Sequence, residues 1–201
     1  SKISLGDGPG DEEFEGELGK YGINDGEFIW PTGLAIDSQK NLWVTDEWQK
    51  KVIILDPNGK YIRSWGTSDI PGLDFGRPSG IAIDSDDNVY IVDSACHKVQ
   101  KFDKECNPLL QWGEFGTSHG QFDSPWGITI DKAGDVYIAD HKNHRVEKFS
   151  PQGDFISSFG RFGNGRGELN RPTDVAVDPD ADVYICDWLK NRVQMFDKAG
   201  T

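Results

Sequence analysis

Apolar and polar positions along this chain alternate in short runs that recur at a fixed interval. In one unit, Gly80-Ile-Ala-Ile-Asp84 alternates and is followed by the polar turn Ser85-Asp-Asp-Asn88. A second run, Val89-Tyr-Ile-Val-Asp93, leads through a short polar loop to Lys98-Val-Gln-Lys-Phe102, where alternation sets Val99 and Lys101 on opposite faces. After turns such as Asp56-Pro-Asn-Gly59 and Ser150-Pro-Gln-Gly153, a fourth run ends in Trp65-Gly66, Trp112-Gly113 or Phe159-Gly160. Runs this short, of period two and bounded by Gly, Pro, Asn and Asp, predict strands and tight turns; no segment sustains the 3.6-residue period of a helix.

The interval is 47 residues: Pro31, Pro78, Pro125 and Pro172 keep it, as do Asp46, Asp93, Asp140 and Asp187, and Val52, Val99, Val146 and Val193. Lys51, Lys98, Arg145 and Arg192 follow the same spacing. Four short strands per repeat predict an all-β fold, a β-propeller of four-stranded antiparallel blades, with repeats starting near residues 31, 78, 125 and 172. The last unit stops at the turn that leads to its fourth strand. Glu13–Gly19 stands in register with Asp154–Gly160 and reads as an outer strand, so residues 13–201 form one propeller domain behind an acidic leader over 1–12. Two arrangements fit the pattern: an arc of a larger propeller, which is preferred here because neither terminus reads as a native end and which would leave strand edges open to self-association, or a closed four-bladed ring.

Composition narrows the partners. With 36% hydrophobic residues the chain of 201 can build a core, and it has no apolar run of membrane-spanning length and no signal-peptide stretch. A net charge of −13 argues against a phosphate-neutralising surface, so nucleic acid is not an expected partner. Cys96, Cys106 and Cys186 have no metal-type spacing; Cys96 and Cys106 fall at opposite ends of one strand, beyond disulfide reach, and Cys186 reads as core because Thr45, Val92 and Ala139 hold its place in other units.

Pro125-Trp-Gly-Ile-Thr-Ile-Asp131, Val136-Tyr-Ile-Ala-Asp140 and Asn143-His-Arg-Val146 with Phe149 closely resemble the NHL repeat, and all four units match in register. The resemblance implies a propeller, in this family usually of six blades, and leaves function open: relatives include RNA-binding domains, sensor ectodomains, interaction modules and an amidating lyase. In that lyase, zinc is held by His residues immediately after the hub Pro. This chain has Thr32, Ser79, Trp126 and Thr173 there, which turns the reading away from the enzyme. The same family places a structural calcium near the hub with an Asp at the third motif position, and Asp174 matches where the other units have Gly33, Gly80 and Gly127.

Repetition assigns most chemistry-bearing residues to architecture. Asp46, Asp93, Asp140 and Asp187 fill one repeat position and Asp37, Asp84, Asp131 and Asp178, at the turns, another, and a catalytic group is not needed four times. His141 and His144 align with Glu47 and Lys50 of the first unit, and His119 has no local partner, so none is expected to bind zinc. Residues that break the symmetry at one end of the units remain: Trp30, Trp48, Trp126 and Trp188, with Arg77 and Arg171. Exposed Trp and Arg are the side chains that anchor partners, which predicts a noncatalytic module binding a protein, peptide or glycan; the equal alternative for these Trp side chains is that they plug blade junctions. The alternative is a metal-dependent lyase or lactonase completed by further blades. Trp43, Trp65 and Trp112 lie on strands and are expected to pack.

Overall fold

The computed structural model describes residues 16–66, 75–198 and 200. The first blade consists of β1 (Pro31–Ile36), β2 (Leu42–Asp46), β3 (Lys51–Leu55) and β4 (Tyr61–Gly66). The second holds β5 (Pro78–Ile83), β6 (Val89–Asp93), β7 (Lys98–Phe102) and β8 (Pro108–Trp112). The third holds β9 (Pro125–Ile130), β10 (Val136–Asp140), β11 (Arg145–Phe149) and β12 (Phe155–Phe159). The fourth has three strands, β13 (Pro172–Val177), β14 (Val183–Asp187) and β15 (Arg192–Phe196). Strands within a blade are hydrogen-bonded in sequence order and antiparallel throughout. Two 3-10 turns, His141–Asn143 and Trp188–Lys190, are the helical content of the described residues.

Local chemistry explains the tight turn inside every blade. Asp37 accepts the Gln39 and Asn41 amides at 2.9 and 2.8 Å through one oxygen, and the Trp43 indole N–H at 2.9 Å through the other. Asp84, Asp131 and Asp178 repeat this, accepting the hydroxyls of Tyr90, Tyr137 and Tyr184 at 3.2, 3.1 and 3.2 Å. A single carboxylate thus closes the turn between the first two strands and fixes an aromatic ring on the second.

The Asp46 tetrad secures the opposite end. Each of these carboxylates is buried and accepts an amide from the loop entering its blade: Ile29 and Trp30 on Asp46, Gly76 and Arg77 on Asp93, Asp123 on Asp140, and Asn170 on Asp187. In the third and fourth blades Arg145 and Arg192 add ion pairs at 3.1 and 3.0 Å and reach on to loop carbonyls. Burial pushes Asp140 up to about 6, against the pull of Asn143, the Asp123 amide and Arg145.

Hydrophobic burial lies between blades. Val52, Trp65, Ile81 and Phe102 join the first blade to the second, Val99, Phe122, Ile128 and Phe149 the second to the third, and Val146, Phe159, Leu169 and Val175 the third to the fourth. Trp43 belongs to the first of these clusters and Trp112 packs against the next, as strand positions predicted. The inner strands β1, β5, β9 and β13 follow one another around a central axis, so the molecule is a four-bladed propeller in architecture. Its first and fourth blades leave the surfaces on either side of the gap exposed.

That gap corrects one expectation. Cys186 is exposed, whereas Thr45, Val92 and Ala139 at the same repeat position are buried, because among the described residues no further blade packs on the fourth at this place. A second difference lies at the N-terminal side, where residues 16–19 carry no strand, while 13–15 of the expected outer strand and the leader over 1–12 fall outside the described residues. From residue 16 onward the segment lies against the first blade, with Leu18 over Gly59 and Gly19 against Phe28.

Candidate recognition face

The loops entering each blade and the loops between its second and third strands meet at one end of the propeller, since Pro31 pairs with Asp46, Pro78 with Asp93, Pro125 with Asp140 and Pro172 with Asp187. At the centre of this arrangement is a cavity of about 520 Å³ lined by residues of all four inner strands, including Thr32, Ser79, Trp126, Thr173 and Asp174. Glu47 also lines it from the loop after β2.

Hydroxyls at the second hub position tie the first blade to the second and the second to the third. Thr32 donates across the junction to the Pro78 and Ser79 carbonyls, and Ser79 donates to the Trp126 carbonyl at 3.3 Å. In the third blade that position is Trp126, which has no hydroxyl. His141 supplies the missing bridge: its Nδ1 lies 3.1 Å from the Pro172 carbonyl, and since a carbonyl only accepts, Nδ1 carries the proton. The buried ring is thereby held flat against Trp126, with centroids 4.6 Å apart and planes at 22°. Trp188 covers it from the fourth blade at 5.8 Å and 30°, and the two indoles stand 6.5 Å apart.

His141 is neutral at pH 7, because burial lowers its pKa first of all and nearby Arg171, His144 and Lys142 lower it further, while the bond to Pro172 opposes them. A depressed pKa means that the stability gained by keeping the ring neutral is present above its ordinary value of 6.5 and is lost as pH falls below it. An NMR titration of the ring protons should therefore place the midpoint below 6.5, with unfolding stability declining through the same range. A midpoint at or above 6.5 would refute the neutral stack.

The sequence-predicted residues are distributed as follows. Trp126 is half-buried and Trp188 is 51% exposed; together with His141 they make one cluster. Trp30 and Trp48 are exposed and line a separate recess on the first blade with Tyr21, Ile23 and Ile29. Arg77 is held by Glu47, whose carboxylate receives its Nε at 3.1 Å and a terminal nitrogen at 2.7 Å. Arg171 is exposed and donates its backbone amide to the His144 ring. Asp174 lines the cavity and accepts the Val175 amide; its carboxyl is partly screened from water at the hub, which raises its pKa. No cluster of three metal-type side chains is present among the described residues.

Repeat position assigned His141 to architecture, in line with Glu47, Ser94 and Trp188. What that assignment missed is a broken pattern: Thr32, Ser79 and Thr173 carry hydroxyls where Trp126 does not, and a donor had to come from elsewhere. His119 likewise gains a partner only in the fold, with Nδ1 at 2.9 Å from the buried Glu147 and its ring stacked on Phe155.

Three blades of four antiparallel strands and one of three, set around a central cavity with a loop face at one end, define the protein as a β-propeller. Residues 75–102 and 122–149 match the NHL repeat, in register with the Pro and Asp tetrads. No curated protein matches the sequence. Among solved structures the chain is similar to a streptogramin B lyase, at 18% identity and a TM-score of 0.70 over 92% of this chain and 56% of that one. It is also similar to virginiamycin B lyase from Staphylococcus aureus, at 16% identity and 0.66 over 86% and 54%. A Bacteroides thetaiotaomicron protein of unknown function aligns at 17% identity and 0.63, over 82% and 46%. The chain thus spans about half the length of these structures, and at such identities the likeness is one of fold.

Proposed function

We propose that this propeller is a noncatalytic recognition module whose loop face binds a protein, peptide or glycan. The observation that carries the reading is the Trp126–His141–Trp188 stack beside the central cavity. Leaving half of an indole in water forgoes hydrophobic stabilisation, and fixing it against a hydrogen-bonded imidazole removes the entropy cost of ordering it when a ligand arrives. Flat aromatic faces beside Asp174 and the Glu47–Arg77 pair combine apolar contact area with a polar rim, the composition of a binding anchor. NHL propellers generally mediate protein interaction, which agrees with this reading.

Trp188→Ala is the direct test, because the side chain is half exposed and its loss should lower stability by no more than about 1 kcal/mol. Binding to peptide and glycan arrays should weaken by about tenfold or more for the ligands that the unaltered chain captures. Unchanged capture, or a collapse in thermal stability, would defeat the proposal.

A further inference from the structure

We propose that the loops at the junction of the third and fourth blades take an acidic peptide, whose Asp or Glu side chain docks on Arg171. This deepens the recognition face proposed above and rests on it, naming the chemistry of its ligand.

The repeat shows what Arg171 lacks. Glu47 and Arg77 form an ion pair at 2.7 Å across the junction of the first and second blades. At the next junction the same two positions are Ser94 and Ser124, which carry no charge. At the third they are His141 and Arg171, so the cation is kept and the carboxylate is gone. His141 cannot stand in for it, because its Nδ1 proton is given to the Pro172 carbonyl and the ring carries no negative charge. The Arg171 guanidinium makes no hydrogen bond or ion pair among the described residues; its backbone amide alone is engaged, on the His144 ring. Arg77 is itself 52% exposed with a blade on either side, so an open arginine belongs to this loop position and owes nothing to what lies beyond the fourth blade.

The surroundings suit an anion with an apolar neighbour. Burial first, and then the Arg171 charge, lower the pKa of both His141 and His144, as a guanidinium close to both rings must. Because His144 accepts the Arg171 amide through Nδ1 at 3.1 Å, its proton sits on Nε2, a neutral donor beside the cation. Phe162 packs on this ring with centroids 4.6 Å apart and is 65% exposed, the same value as Phe115 over His97 at the preceding junction. Glu47 demonstrates what such an arginine holds: its carboxylate receives the Arg77 Nε at 3.1 Å and a terminal nitrogen at 2.7 Å. A partner's Glu presents the same group, and an apolar residue next to it covers Phe162.

An array of short peptides, each Glu-containing peptide printed beside its Gln counterpart, tests this. The unaltered chain should prefer the Glu member. Exchange of that Glu for Gln, or Arg171→Gln in the protein, should each weaken capture by about tenfold at low salt, and either change should add little once the other is made. Added salt should shrink the difference. Arg171→Lys keeps the charge without the planar fork and should recover part of the loss. As this side chain bonds to nothing in the fold, both variants should melt at the temperature of the unaltered chain. Equal capture of Glu and Gln peptides, indifference to Arg171→Gln, a fall in melting temperature that accounts for the loss, or a preference for glucuronate-bearing glycans on a parallel array would each overturn the inference. Peptides lost with Trp188→Ala yet unmoved by Arg171→Gln would leave the recognition face standing and remove the carboxylate from it, whereas no capture at all would remove both.

Discussion

Asp93→Ala should lower unfolding stability by about 3–5 kcal/mol, the largest single-residue loss expected in this molecule. The carboxylate is wholly buried and accepts four backbone N–H groups, from Gly76 at 2.7 Å, Arg77 at 3.0 Å, Ala95 at 3.1 Å and Cys96 at 2.9 Å. Two lie in the loop entering the second blade and two in the loop after β6, so one side chain holds both loops in place. Alanine would leave these amides facing a methyl group in a poorly solvated corner, and an unmet buried donor costs about 1–3 kcal/mol before relaxation. Asn keeps one acceptor oxygen and should fall between the two. Equilibrium denaturation in urea measures the difference; a loss below about 1 kcal/mol would show that water reaches these amides freely.

Gly80→Ala should cost about 2–3 kcal/mol although it adds a single methyl group. Gly80 has no unusual backbone angle to protect. The requirement is close approach: a Cβ would collide with the Trp126 carbonyl oxygen and stand 3.0 Å from Ile128 Cγ2 and 3.2 Å from the Ile128 amide nitrogen. Backbone cannot swing aside as a long side chain can, so the second and third blades must separate, loosening Val99, Phe122 and Ile128 between them. Asp174→Ala supplies the contrast, since the same position in the fourth blade already accommodates a side chain and should tolerate the change within about 0.5 kcal/mol. Thermal or urea unfolding distinguishes the pair, and equal losses would mean that close approach at the hub is not what glycine provides.

Both predictions bear on the recognition face. Displacing the third blade at Ile128 also moves Trp126, two residues away and stacked on His141. Loosening the Gly76–Arg77 segment would shift the arginine that pairs with Glu47 at the cavity wall. Repeat architecture therefore supports the site: carboxylates and glycines used in several blades fix the loops on which the unrepeated aromatic side chains stand.

Much of this was legible in the sequence. Pro31, Pro78, Pro125 and Pro172 mark the inner strands, and the Asp37 and Asp46 tetrads were recognisable as structural because they recur. The aromatic exceptions were visible for the same reason, but their grouping was not. Trp126 and Trp188 meet across a blade junction, whereas Trp30 and Trp48 line a different recess. Arg77 and Arg171 looked alike in the repeat, yet the structure gives Arg77 a carboxylate partner in Glu47 through a contact that spans two blades.

The sequence by itself determined the strands of the four repeats and their turns, because alternation, turn hydrogen bonds and the 47-residue interval are encoded within short stretches of chain. Tertiary structure alone decided what identical positions mean. Val146 and Val193 occupy the same place in the pattern; one is sealed against Val175 and the other faces water. His141 became the bridge to Pro172 and the centre of an aromatic stack, and Cys186 came to the surface. Burial in a propeller depends on what stands across the gap between blades, and no local pattern records it.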